Sequence, residues 1–349
     1  MTDNTWPTVD TELIDDVTLY SAKLIIPVTG PVIIDGAVAI HGDRVVHVGK
    51  RRWVLKALKQ EMTAHGTIHE RHWDGVLTPG LINAHTHLQY SGMVQVGQGT
   101  YDRFRAWELA FNEVYAEAQK TQPWKQWAED GARQMVESGT TAAADIVTDL
   151  DAAGALASQG MHGIAYWEVM GWHNAEWMEK GRTELIRQLR RMNEEQLPNL
   201  GISPHAPYTL ESEPFVDLPD IARQLNMRLH IHLAETPLEA GTYPPVLTTY
   251  SAADWSDHDW ESYRQLKEVG KGASAIQFVD QLGSLGPDVH IAHGVWANGE
   301  DRRILRQRGV GVALCPRSNR ITNTGKDAPV REYLEEGNLV SVGTDSLSS

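Results

Sequence analysis

The sequence predicts an α/β protein, a (β/α)8 barrel preceded by a small β subdomain. Eight short apolar runs alternate with amphipathic stretches from Val76 onward. That is the pattern of a parallel sheet covered by helices, and eight such units close a barrel. No GxGxxG or GxxxxGK[ST] loop follows the first run, which weakens the rival reading, an open doubly wound sheet. The front of the chain is different: residues 17–50 are rich in Val and Ile and are cut by Gly30-Pro31, Asp35-Gly36 and Gly42-Asp43 at hairpin-like intervals. The 349 residues therefore divide into 1–75, a β subdomain with a connector, and 76–349, the barrel.

The expected barrel strands are, in order, Leu77–Ala84, Thr140–Val147, Gly163–Met170, Leu200–His205, Arg228–Ala234, Val289–Val295, Gly309–Cys315 and Leu339–Thr344. Between them Trp124–Glu137, Glu184–Met192, Ile221–Asn226, Glu300–Gln307 and Val330–Glu336 carry helical amphipathic patterns. Residues 51–75 are mixed and read as a connection. The chain reaches Ser349 five residues after the eighth strand, so the barrel is expected to be cut short before an eighth helix.

Composition narrows the function. With 31 Lys+Arg against 46 Asp+Glu the net charge is −15, which argues against binding a nucleic-acid backbone. Hydrophobic residues at 41% and charged residues at 22% suit a large folded core. The single cysteine, Cys315, excludes a disulfide scaffold or a Cys-rich zinc site. The acidic opening MTDNTWPTVDTELIDD is no secretory signal, and no run approaches the ~20 apolar residues of a membrane span. A cytoplasmic protein without nucleic-acid or membrane partners is expected.

Histidines and acids gather where a barrel keeps its chemistry, at strand C-termini. His85 and His87 end the first strand; residues two apart in a strand point the same way. Two neutral imidazoles with convergent nitrogens suit Zn²⁺ or Fe²⁺, although a bare HxH also occurs by chance on loops. His232 ends the fifth strand with Glu235 three residues on, His293 ends the sixth and Asp345 the eighth. Any one of these can be a core or cap residue. Four strand ends furnished together are much harder to ascribe to chance. His230 lies deeper on the His232 face and reads as packing; His290 starts its strand, at the opposite end of the barrel.

The run Pro79-Gly80-Leu81-Ile82-Asn83-Ala84-His85-Thr86-His87, with His232-Leu233-Ala234-Glu235, His293-Gly294 and Gly343-Thr344-Asp345, resembles the amidohydrolase superfamily. Within it the chain is similar to the cytosine deaminase and chlorohydrolase-like branch, as are Ser203-Pro204-His205-Ala206-Pro207-Tyr208 and Cys315-Pro316-Arg317-Ser318-Asn319. The resemblance covers roughly residues 17–349. It implies a distorted barrel plus a β-sandwich built from both chain ends, of which the N-terminal strands match the first half. It implies His85, His87, His232 and Asp345 as metal ligands, Glu235 as proton shuttle, His293 beside the attacking water and His205 as a substrate contact. Members with two metals bridge them through a lysine, or sometimes a glutamate, on strand four. No lysine lies between Lys180 and Lys267, which favours one divalent ion, Zn²⁺ before Fe²⁺.

Such a set performs hydrolytic deamination: Asp345 takes a proton from water, Glu235 protonates a ring nitrogen, and His293 steadies the nucleophile. The first substrate expectation is an adenine-type nucleoside, aminodeoxyfutalosine or another 5′-modified adenosine. The alternatives are a free base (cytosine or guanine) or a chlorotriazine at the same site, and a catalytically silent relative. Gln89, Glu168 and Arg317 are further substrate-binding candidates. Glu168 can equally cap a helix, and Arg317 can sit in a surface salt bridge. Phe104 and Trp107 either stack on a heteroaromatic ring or pack a helix. The long loop from Thr236 to about Trp260 reads as a lid. The expected partner is a small nitrogen heterocycle, with a homodimer left open.

Overall fold

The structure, a computed structural model, describes residues 13–194, 197, 199–241, 266 and 268–349. It divides into two compact units, Met1–Gly80 and Leu81–Ser349.

The first unit holds four strands, β1 (Ile14–Ile25), β2 (Ile33–His41), β3 (Arg44–Lys50) and β4 (Met62–Leu77), in the order β3-β2-β1-β4. Val17 and Leu19 of β1 and Ala37 and Ala39 of β2 are buried on a two-residue period with Val54 and Leu58 of the helix Arg51–Glu61. Residues 51–75 are therefore no mere connection. They form that helix and most of a 16-residue strand pairing parallel with β1. The strand was illegible because Thr67–Asp74 is dominated by His, Glu, Arg and Asp instead of alternating apolar residues. Backbone pairing carries it, with Arg51 donating to Glu70 at 2.6 Å and Ser21 to Glu70 at 2.6 Å.

The second unit contains the eight expected strands: β5 (Leu81–Thr86), β6 (Thr140–Val147), β7 (His162–Val169), β8 (Leu200–Pro204), β9 (Arg228–Leu233), β10 (Val289–His293), β11 (Gly311–Leu314) and β12 (Leu339–Val342). Each pairs parallel with the next. A parallel bridge between Thr86 and Asp345 brings the last strand back to the first. The sheet is a nearly closed (β/α)8 barrel. β5 starts later than expected because Pro79, with no N–H, cannot continue the ladder.

The helices follow their apolar spacing. Trp124–Glu137 buries Trp124, Ala128, Gly131 and Ala132, one stripe at i, i+4, i+7 and i+8. Gly299–Arg308 is opened by a reciprocal Asn298–Asp301 capping box and closed by Gly309 at φ 71°. Along β9, Leu229, Ile231 and Leu233 join the apolar core while His230 and His232 turn to the barrel interior. That alternation puts the chemistry inside. Among the described residues no helix is long and apolar enough to cross a membrane.

Candidate active site

The strand ends are tied to one another by backbone. The N–H groups of Thr344 and Asp345 both donate to the His85 carbonyl, at 3.1 and 2.9 Å. Gly343 is required at this seam, since a Cβ there would lie 2.7 Å from His85 Cβ and 2.9 Å from its carbonyl oxygen. Three non-glycine residues of the site adopt left-handed backbone: Ala234 (φ 54°), His293 (φ 73°) and Asp345 (φ 57°). Such conformations are sparsely populated and concentrate where structure over-determines a functional geometry.

His85, His87 and Asp345 form one cluster of converging donors and His85, His232 and His293 another, each with its ligand atoms within 4.8 Å. Asp345 Oδ1 lies 3.6 Å from His85 Nε2 and 3.5 Å from His87 Nε2, and His87 Nε2 lies 3.3 Å from His232 Nε2. Four donors ~2.0–2.1 Å from a tetrahedral ion stand ~3.3–3.4 Å apart, so the set fits one metal. The far sides of the rings agree. His232 Nδ1 donates to the His205 carbonyl at 3.2 Å, which leaves Nε2 bare. His85 Nδ1 lies 3.0 Å from His230 Nε2, and His85 Nε2 is buried with no hydrogen-bond partner among the described residues. His230, expected only to pack, thus orients His85.

Burial lowers the pKa of His85, holds His87 and His205 at about 3, and places His232 well below the usual range. These imidazoles stay neutral, the form that ligates a metal. Burial alone would raise Asp345; His85 Nε2, 3.6 Å away, and the neighbouring His87 and His293 rings oppose that and leave its carboxyl well below the usual range. Its Oδ2 accepts from Ser318 Oγ at 2.6 Å and its Oδ1 from Ser346 N–H at 2.9 Å. Glu235 is shifted the other way: burial raises it, and Asp345 adds to the rise. Tyr208 Oη donates to Glu235 Oε2 at 3.0 Å, and His293 Nε2 lies 3.5 Å from Oε1. The opposite ring nitrogen of His293 lies 3.0 Å from Asn319 Oδ1.

These groups open on a cavity of about 300 Å³ whose lining includes Glu168, His205, Tyr208, Glu235, His293 and Asp345 on one side. Phe104, Trp107, Glu108 and Phe111 of the helix Phe104–Thr121 line the other. Burial pushes Glu168 up to about 8, and its Oε1 stands 3.8 Å from His232 Nδ1 and 4.0 Å from His205 Nε2. Glu168 therefore faces the cavity instead of capping a helix.

Two candidates lie elsewhere. The Gln89 amide is consumed by Thr148: its Nε2 donates to Thr148 Oγ1 and its Oε1 accepts Thr148 N–H at 2.9 Å. Arg317 donates to the carbonyls of Ser349 (2.6 Å) and Ser346 (3.4 Å). Neither lines the cavity, because a hydrogen-bonding side chain takes the nearest unpaired backbone or hydroxyl group. The expected lid lies outside the described residues from Thr242 on. Sequence reasoning missed Tyr208, Ser318 and Asn319, although each stands in a motif quoted for the resemblance; Ser318 and Asn319 sit one helical turn past β11.

Comparison with known proteins identifies the family. The sequence pattern of the amidohydrolase family matches residues 76–243 and 246–349. The 5-methylthioadenosine/S-adenosylhomocysteine deaminase of Moorella thermoacetica is 30% identical over 337 residues, covering 93% of this chain and 68% of that protein. The 5′-deoxyadenosine deaminase of Methanopyrus kandleri is 30% identical over 280 residues, covering 78% and 58%. The crystal structure of a zinc-bound adenosine deaminase from Xanthomonas campestris superposes with a TM-score of 0.71 at 22% identity, covering 97% of this chain and 70% of that one. The chain spans about three fifths to two thirds of the length of the curated relatives it matches, 58% and 68% in these two. With the pattern running through every strand end described above, the chain belongs to the amidohydrolase family.

Proposed function

We propose that the chain is a hydrolytic deaminase of adenine-type nucleosides with an uncharged 5′ substituent, working with one divalent ion, zinc before iron. The observation that carries the reading is a pair of carboxyl groups on one cavity in different company: Asp345 Oδ1 stands 3.6 and 3.5 Å from the His85 and His87 ring nitrogens, whereas Glu235 accepts from Tyr208 and lies 3.5 Å from His293. Hydrolytic deamination needs one acid and one base at the same pH, and separate environments provide them. The deaminase names of the relatives support the substrate class.

His85, His87, His232 and Asp345 would hold the ion, which supplies an acidified water, its pKa lowered toward ~7. The absence of a lysine from β8 supports a single ion. Asp345 accepts the proton of the attacking water. Glu235 donates its proton to ring N1, which draws electrons from the neighbouring carbon bearing the amine. His293, steadied by Asn319, hydrogen-bonds the incoming oxygen. Asp345 passes its proton to the departing nitrogen; as ammonia leaves, the proton of the new C6 hydroxyl returns to Glu235, so both carboxyl groups regain their starting state and N1 keeps the proton it was given. Phe104, Trp107 and Phe111 give the nucleoside an apolar face.

The preference for an uncharged 5′ group rests on charge. The described lining residues include Glu108, Glu168, Glu235 and Asp345 but no Lys or Arg, so a 5′ carboxylate finds no counter-ion there. The test is ammonia release by the zinc-loaded protein from 5′-deoxyadenosine, 5′-methylthioadenosine, S-adenosylhomocysteine, cytosine, guanine and a chlorotriazine. The expected order of kcat/KM places the first two at the top. Faster turnover of a free base or triazine overturns the nucleoside reading. Faster turnover of S-adenosylhomocysteine overturns the charge argument alone.

A further inference from the structure

Glu239 lies outside the cavity lining, yet it is fully buried. Its carboxylate accepts the N–H of Ala234 at 2.8 Å on Oε1, and those of Glu235 and Thr236 at 2.9 Å each on Oε2, with Thr236 Oγ1 at 3.3 Å. Three successive backbone donors thus converge on one side chain. Consecutive N–H groups around a left-handed residue form an anion-binding concavity, and here Ala234 at φ 54° supplies the left-handed turn. The other side of the same segment is pinned by β10 and the loop after it: Gly294 N–H donates to the Leu233 carbonyl at 3.0 Å and Trp296 N–H to the Ala234 carbonyl at 2.7 Å.

We propose that Glu239 is a positioning residue for Glu235: its carboxylate gathers the amides of residues 234–236 and fixes the turn that carries the Glu235 side chain to the cavity. The inference rests on Glu235 being the proton donor. Glu239 touches no reacting atom. It sets the direction from which the Glu235 carboxyl meets Tyr208 and His293. A glutamine fills the same space but offers one acceptor oxygen, so at least one of the two sets of donors faces an NH₂ group instead. Burial pushes Glu239 up to about 7, and the N–H groups of residues 234–236 act against the rise.

The experiment compares wild type with Glu239→Gln, both zinc-loaded, by 5′-methylthioadenosine kinetics and by amide hydrogen exchange at residues 234–236. The expected result is a kcat lower by roughly 10–100-fold, the scale of a ~1 Å misplacement. KM should change less than threefold and zinc content should not change, while exchange at these amides accelerates. A kcat within twofold of wild type, or a fall in melting temperature with unchanged kcat per folded molecule, overturns the proposal. If the variant does not fold, wild-type exchange decides: protection of the three amides equal to that of buried strand amides supports the proposal, and loop-like exchange overturns it. A wild-type protein that deaminates no nucleoside refutes the functional reading, and the exchange comparison still decides whether Glu239 holds the turn.

Discussion

The two walls of the cavity are built on different principles. On the strand-end wall nearly every reactive group has a polar tether: His85 to His230, His232 to the His205 carbonyl, His293 to Asn319, Asp345 to Ser318 and Glu235 to Tyr208. The helix wall is packed ring against ring. Phe104 and Trp107 have centroids 5.3 Å apart, Trp107 and Phe111 5.5 Å, and Phe111 and Tyr115 5.8 Å. The polar contacts of this wall include Trp107 Nε1 donating to the Ser348 carbonyl at 2.7 Å and an Arg105–Glu108 ion pair at 2.7 Å. Directional bonds hold the chemistry at fixed angles. Dispersion and ring contacts, which tolerate sliding, shape the space for substrate. Changes on the first wall should therefore act on kcat, and changes on the second on KM.

The largest effects should come from the two carboxyl groups proposed to move protons, first Asp345, which would also hold the ion. Asp345→Asn should cost at least ~10⁴-fold in kcat/KM, since it removes the base and a ligand together. Chelation should abolish turnover, with zinc restoring it in wild type but not in the variant. Glu235→Gln should cost ~10²–10⁴-fold in kcat while zinc content stays at one per chain. A Glu235→Gln enzyme retaining most of its kcat would show that the proton comes from another group. Elemental analysis returning two metals per chain would overturn the single-ion reading.

The tethers rank next. Ser318→Ala frees Asp345 Oδ2, and Asn319→Ala frees the far nitrogen of His293. Outer partners of this kind typically matter 10–100-fold, so each should lower kcat by about that factor with KM nearly unchanged. Trp107→Ala should behave oppositely. An aromatic contact of ~0.5–1.5 kcal/mol corresponds to ~2–12-fold in affinity, so KM for 5′-methylthioadenosine should rise by that factor with kcat within threefold. Equal falls in kcat from Trp107→Ala and Ser318→Ala would erase the distinction between the walls.

The difference between the walls also explains what could be read in advance. Strand ends were legible because an apolar run stops where its last polar residue begins, so His85, His232, His293 and Asp345 announce themselves by position. β6 was read to the residue. β4 was not, because Thr67–Asp74 lacks the alternation that reports a half-buried strand. Gln89 was misread for a related reason: following the His-x-His run says where its backbone is, and not that Thr148, 59 positions on, lies near enough to take its amide. Phe104 and Trp107 allowed either reading, since aromatic residues on a helix serve a packed core as well as a ring-binding cavity. Only the fold decides which face meets the cavity.

The smallest effect on catalysis should come from a carboxyl group behind the strand-end wall. Asp145, at 1% exposure, accepts Leu88 N–H at 2.9 Å just past His87. Burial pushes it up to about 8, with that one hydrogen bond acting against the rise. In the folded protein it therefore keeps its proton to a far higher pH than the ~3.9 of an unfolded chain. The sign follows: its contribution to stability is complete below about pH 4 and is lost progressively as pH rises to about 8, because the unfolded state ionises first. Asparagine keeps an oxygen for Leu88 and has no proton to lose. Asp145→Asn should leave kcat within twofold and flatten this part of the pH dependence, so that its urea midpoint exceeds that of wild type by more at pH 8 than at pH 5. Parallel midpoints from pH 5 to 8 would mean that Asp145 is ionised in the fold. The strand-end wall would then rest on a charged support at this position instead of a neutral one.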